Sequence, residues 1–299
     1  MNSTYRILLS IFVLMFNHVA VADNTDQAHA ITDPIKVKTF LPADENTIPD
    51  NEFGEMVRLG KKVFTQTGQY AGKYVGNDMK CVNCHLNAGR LANSAPLWAA
   101  WVKYPAYRGK NKMVNTMEQR FQGCFTYSMN GTPPPADSKE LKALMSYAYW
   151  MSRGAPTGID LPGRGYPTLA KAEKAPDYQR GKQLFVDNCA LCHGDNGEGT
   201  RQNEDTVFPP LWGEGSFNWG AGMHRINTAA AFIRANMPLG KGGSLTVQQA
   251  WDVAYYINSH ERPQDPRFKG DVQATKEAYH QHQCRYGEKG DKHVLGTKD

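Results

Sequence analysis

CVNCH at residues 81–85 and CALCH at residues 189–193 decide how this chain is read. Two thiols at i and i+3 lie on one side of a helical turn, spaced to add to the two vinyl groups of a haem. The histidine that follows then lies under the ring and offers its imidazole to iron. A single pentapeptide of this kind is also compatible with a redox cysteine pair. Two copies point to two covalently attached haem c groups. Cys81 and Cys84 would bind the first, with His85 on its iron; Cys189 and Cys192 would bind the second, with His193.

The surroundings of the two motifs repeat as well. RLGKKVF (58–64) precedes the first and QRGKQLF (179–185) precedes the second, each read as the end of a short amphipathic helix. Downstream, KELKALMSYAYWMSR (139–153) is apolar at helical spacing through Leu141, Leu144, Met145, Ala148 and Tyr149. TVQQAWDVAYYINSH (246–260) repeats the pattern with Ala250, Val253, Ala254 and Ile257. Ser138 and Thr246 are the expected N-caps. Helix, haem motif, long loop and helix is the plan of a small class I cytochrome c domain. The fold expected is therefore all-α and loop-rich: two tandem domains of that class, each with one haem c.

The expected boundaries follow from composition. Residues 1–22 read as a signal peptide. Arg6 leads a short apolar run, ILLSIFVLMF (7–16), and Ala20-Val21-Ala22 offers a cleavage site before Asp23. The first domain would cover 45–155 and the second 177–263. A Gly- and Pro-rich linker, 156–176, would join them, and 264–299 would run over the surface as a polar tail. No later segment reaches the ~20 apolar residues that a spanning helix needs. Without residues 1–22 the formal charge of +5 loses Arg6 and becomes about +4. That modest excess does not indicate a nucleic-acid protein, but it favours anionic small molecules. Export places the chain in the periplasm, where six cysteines would ordinarily suggest disulfides.

Each iron needs a sixth ligand. In the second half Met237, in NMP (236–238) before the last helix of the repeat, is the expected one, with His224 the competitor. In the first half the repeat aligns Met129 with Met237, because each lies nine residues before its helix cap. Cys124 is the other candidate. On spacing alone it is a buried thiol, a disulfide partner of Cys284, or an iron ligand.

SAPLWAAWVKYPAYR (94–108), EQRFQGCFTYSMNG (118–131), NMP (236–238) and SHERPQDPRF (259–268) together resemble the dihaem thiosulfate dehydrogenases over roughly residues 45–270. The resemblance implies that Cys124 is the sixth ligand of the first haem and that Met129 is a packing residue. It also implies an oxidoreductase that joins two thiosulfates into tetrathionate or runs the reverse, passing electrons to a soluble c-type cytochrome. Arg120, four residues before Cys124, and Ser128, four after, would share its helical face and bind substrate. Arg108 is a further candidate, with Lys110 as its alternative. Some relatives carry lysine before the distal methionine, where it exchanges as a ligand on reduction. Asn236 stands there in this chain, so that exchange is not expected. A non-catalytic dihaem electron carrier, and a sulfur-oxidation subunit that works with a partner protein, are the competing readings. Cys284 receives no role.

Overall fold

The computed structural model describes residues 40–203, 205–290 and 293–297. The expected signal peptide lies outside them. Among the described residues no helix is long and apolar enough to cross a membrane.

Eleven α-helices form the described frame. In the first half they are α1 (Glu52–Thr65), α2 (Thr67–Ala71), α3 (Leu86–Gly89), α4 (Leu97–Trp101), α5 (Met117–Tyr127) and α6 (Lys139–Met151). In the second half they are α7 (Tyr178–Asn188), α8 (Ala190–His193), α9 (Ile226–Asn236), α10 (Val247–Ile257) and α11 (Val272–Tyr279). Two antiparallel ribbons interrupt the loops, β1 (Ala106–Arg108) with β2 (Met113–Asn115), and β3 (Thr200–Gln202) with β4 (Asp205–Phe208). The expected caps form. Ser138 Oγ accepts from Leu141 N, and Thr246 with Gln249 closes a reciprocal capping box at α10. Thr116 with Gln119 does the same at the start of α5.

The repeat is visible in how the helices cross. Gly60 of α1 packs on α6 so closely that a Cβ there would stand 2.1 Å from the Ala143 carbonyl oxygen. Gly181 of α7 meets α10 in the same way, 2.1 Å from the Asp252 oxygen. Only a residue without a side chain allows these backbones to approach. On α6 Leu141, Leu144 and Ala148 are buried as expected and Met145 partly so, and Ala143, Trp150 and Met151 join them. Tyr149 is half exposed, whereas Tyr147 is fully buried and donates to the Ala88 carbonyl. Met129 is buried in the first core.

The two halves are stitched rather than tethered. Loop residues Phe217 and Ala221, from the second half, belong to the core of the first. Asn218 Nδ2 donates to the Thr126 carbonyl and to Asn130 Oδ1, and Asn77 Nδ2 donates to the Ser128 and Ser216 carbonyls. Asn93 N donates to Gly163 O and Trp251 Nε1 to Ala170 O, so the linker is fastened to both halves.

The expectation of a surface tail from 264 onward is corrected. α11 lies within it, and Cys284, Tyr286 and Leu295 are buried against Trp219 in a small third core. The polar composition hid this because the buried residues are few and set singly among charged ones.

Candidate active site

Each CxxCH histidine is oriented by the same device. His85 Nδ1 donates to the Ala95 carbonyl at 2.7 Å, and His193 Nδ1 to the Pro209 carbonyl at 2.8 Å. That bond fixes the tautomer and leaves Nε2 with a free lone pair for a metal. Burial pushes the His85 imidazole down to about 4, against the Ala95 bond, and Arg120 pushes the same way. The ring is therefore neutral, the form that ligates. No disulfide joins any of the six cysteines, so Cys124 and Cys284 are not paired.

In the second half an apolar cleft holds Cys189, Cys192 and His193 on one side and Met237 on another. His224 does not line it. That histidine is buried elsewhere, beside Trp219 and the folded tail. Cys84 of the first motif and Leu86 just after it form part of the wall of the second cleft. The donor set, the thiol pair and the apolar walls fit a covalently bound haem with His193 and Met237 available to iron. Asn236 turns away from such a role: its Nδ2 donates to the Asn93 carbonyl of the first half and to the Phe232 carbonyl.

In the first half α5 brings the expected group together. Arg120 Nη1 donates to Cys124 Sγ at 3.0 Å, one helical turn apart. The sulfur's charge raises the Arg120 pKa above its ordinary value against the cost of burial, so this guanidinium stays ionised. Cys124 also lies close enough to Cys81 and Cys84 to act on both thiols. Cys124 thus stands beside the thiol pair of the first motif. Ser128 caps the C-terminus of α5, its amide donating to the Cys124 carbonyl. Tyr166, from the linker, donates to the Cys84 carbonyl and is pushed well above its usual pKa by burial.

Arg108 sits exposed on the β1–β2 ribbon, at the rim, where its charge acts on Arg225. Lys110 goes deeper. Its Nζ donates to the Gly220 carbonyl and rests 4.1 Å from the Tyr127 ring centroid. Burial, with repulsion from Arg267, Arg120 and Arg225, pushes this ammonium down to about 7, and Asp265 offsets only part of that. Arg225 and Arg267 went unrecognised in the sequence reading, although Arg267 falls in the quoted SHERPQDPRF. Arg120 at Cys124, Lys110, Arg225, Arg267 and Arg108 thus form a chain of mutually repelling cations from four chain segments, a suitable lining for a multiply charged anion.

Comparison with known proteins gives the same two halves. Residues 68–157 match the family described as SoxA/TsdA, cytochrome c domain, and residues 178–261 match Cytochrome c. Two such domains carry two covalently bound haem c groups. The thiosulfate dehydrogenase of Stutzerimonas stutzeri is 56% identical over 260 residues, 86% of this chain and 85% of that protein. The thiosulfate dehydrogenase of Thiomonas intermedia is 55% identical over 258 residues, 86% and 82% of the respective chains. Among solved structures, thiosulfate dehydrogenase (TsdBA) from Marichromatium purpuratum superposes with a TM-score of 0.85 at 51% identity. That match covers 87% of this chain, which spans 58% of the solved one.

Proposed function

This chain belongs to the thiosulfate dehydrogenase family of dihaem cytochromes c, and we propose that it interconverts two thiosulfates and tetrathionate at a first haem held between His85 and Cys124. The observation that carries the placement is the 3.0 Å contact of Arg120 with Cys124 inside a ring of basic residues. A simple electron carrier has no use for that arrangement.

Electrostatics explains why the ring is needed. Two thiosulfate dianions joined through sulfur keep their sulfonates about 6 Å apart. Before the two electrons leave, two dianions held at that separation repel through four pairs of unit charge, on the order of 10 kcal/mol at an effective dielectric of about 20. Arg120, Lys110, Arg225 and Arg267 offset this by fixed positive charge, and the arginine forks grip sulfonate oxygens two at a time. Ser128, at the C-cap of α5, adds a hydroxyl on the same side, and Arg108 draws anions to the rim.

Cys124 serves as a sulfur carrier as well as a ligand. Its thiolate joins the outer sulfur of one thiosulfate, giving a Cys–S–S–SO₃⁻ adduct and releasing two electrons. The outer sulfur of a second thiosulfate then attacks the sulfane sulfur, forming tetrathionate and returning the Cys124 thiolate. No proton is consumed in either step. The two haems supply one-electron acceptors for the two electrons. Cys84 and Leu86 in the wall of the second cleft support close approach of the two groups. Met237, with Asn236 fixed by hydrogen bonds, would hold the second iron in both redox states. Leu191, Val207 and Leu239 stand exposed around this cleft and offer an apolar face to a soluble c-type cytochrome.

The signal-like residues 1–22 support a periplasmic location. In protein recovered from the periplasmic fraction, thiosulfate with an artificial acceptor gives steady turnover. Cys124→Gly abolishes it, a loss of at least about 10²-fold, while both haems stay attached. Mass analysis after tetrathionate treatment finds the adduct on the Cys124 peptide. Undiminished turnover in the variant, or no turnover in either direction by the unaltered protein, defeats the reading.

A further inference from the structure

The folded tail contains a second cluster of ligating side chains, apart from both haem positions. HQHQC (280–284) alternates, with Gln281 and Gln283 exposed while His280 and Cys284 are buried and His282 is half-buried. Three donors at i, i+2 and i+4 thus face one side. That side meets His224, which is 1% exposed and comes from the turn before α9. One ligand atom from each of the four residues lies within 4.8 Å of all the others.

The geometry points to a structural zinc site formed by His224, His280, His282 and Cys284; we propose that the native protein holds one zinc ion there. With Zn–N of about 2.0–2.1 Å and Zn–S of about 2.3 Å, a tetrahedral shell has N···N edges near ~3.3 Å and N···S edges near ~3.6 Å. The cluster supplies His224 Nε2···His282 Nε2 at 3.0 Å and His280 Nδ1···Cys284 Sγ at 3.3 Å. Nitrogen and sulfur donors in this mixture suit zinc rather than magnesium or calcium.

The surrounding bonds are those of a metal site. His280 Nε2 donates to Asp265 Oδ2 at 3.1 Å, which fixes its tautomer and turns Nδ1 inward. Cys284 Sγ accepts from the Tyr286 amide at 3.4 Å, a bond that favours a thiolate. The contact between His224 and His282 leaves His224 Nδ1 buried with no hydrogen-bond partner, so internal bonding does not account for the group. The Cys284 thiolate would supply one negative charge directly to the ion, and the Asp265 carboxylate, shared with Arg267, a second one behind His280.

The ion would clamp the tail to the turn that carries His224. Gln283 O already accepts from Ile226 N beside it. The clamp also holds two of the basic side chains, since Arg225 follows His224 directly and Arg267 is bound to Asp265 through Nε at 2.9 Å.

Metal analysis of untagged holoprotein tests the proposal, with the two haem irons as internal standard. One zinc per two irons is expected. The zinc absorption edge should fit three nitrogens near ~2.05 Å and one sulfur near ~2.3 Å. Cys284→Ser and His282→Gln should each lose most of the zinc and keep both haems. A chelator should open the tail to protease in the unaltered protein. The proposal is overturned by protein that holds no zinc and takes none up on dialysis against it, by a shell without sulfur, or by variants that keep a full equivalent. None of these readouts depends on thiosulfate turnover.

Discussion

At the scale of the residue, the site turns on a sulfur and a guanidinium one helical turn apart. Arg120 keeps its charge because Cys124 is beside it, and its planar fork suits a sulfonate better than an ammonium does. Arg120→Lys is therefore expected to lower kcat/KM for thiosulfate by about 10- to 100-fold while leaving haem content unchanged. Lys110 gives the site a pH response. Its pKa is depressed to about 7 by burial and by Arg267, Arg120 and Arg225; Asp265 pulls it back up, and the neighbouring Tyr127 phenol stays neutral. Below about 7 the ammonium is charged and attracts the dianion; above it the charge is lost. KM for thiosulfate should rise several-fold, about 3- to 10-fold, between pH 6.5 and 8.5. Lys110→Arg keeps its charge and should flatten that rise. An unchanged slope in Lys110→Arg would remove this residue from substrate binding.

At the scale of the element, the fold depends on two helix crossings. α1 on α6 and α7 on α10 are the same joint built twice, each closed by one glycine. A methyl group at either position meets a carbonyl oxygen and the Cβ of Tyr147 or Tyr256, so the helices must separate. Overpacking of this kind costs about 1–3 kcal/mol. Gly60→Ala and Gly181→Ala should each lower the thermal midpoint of the holoprotein by about 3–10 °C. Gly123, in α5, meets only the edge of the Tyr127 ring, so Gly123→Ala should leave the midpoint within about 2 °C. The capping boxes of α5 and α10 fix where those helices begin, and therefore where Cys124 and the loop carrying Met237 stand.

At the scale of the whole molecule, the two halves contribute residues to each other's cores and clefts. Cys84 and Leu86 wall the second cleft while Phe217 and Ala221 fill the first core. With Cys124 and Met237 as the proposed ligands, a thiolate would lower the potential of the first haem and a thioether would raise that of the second. A redox titration should resolve two waves separated by on the order of 100 mV, with the lower one on the first haem. Cys124→Met should merge them. A single wave in the unaltered protein would refute thiolate ligation of the first iron.

Sequence alone determined what depends on short spacing. The CxxCH pairs, the helix caps and the Arg120–Cys124 turn all join residues separated by four positions or fewer, where helical geometry dictates the contact. The resemblance carried by residues 118–131 settled the choice between Cys124 and Met129 only as an expectation, because repeat alignment favoured the methionine. Tertiary structure decided what depends on distant segments. Arg225 and Arg267 reach Lys110 only because loop and tail fold back over α5. His224 left the second cleft for the tail, and the segment from 264 holds a helix and a small buried core where a polar surface tail was expected. HQHQC announced its alternation in the sequence, but its fourth partner lies 56 positions upstream of His280, at His224. No local periodicity encodes such a closure. It is set by burial of Trp219, Tyr286 and Leu295 together, and burial is a property of the assembled chain.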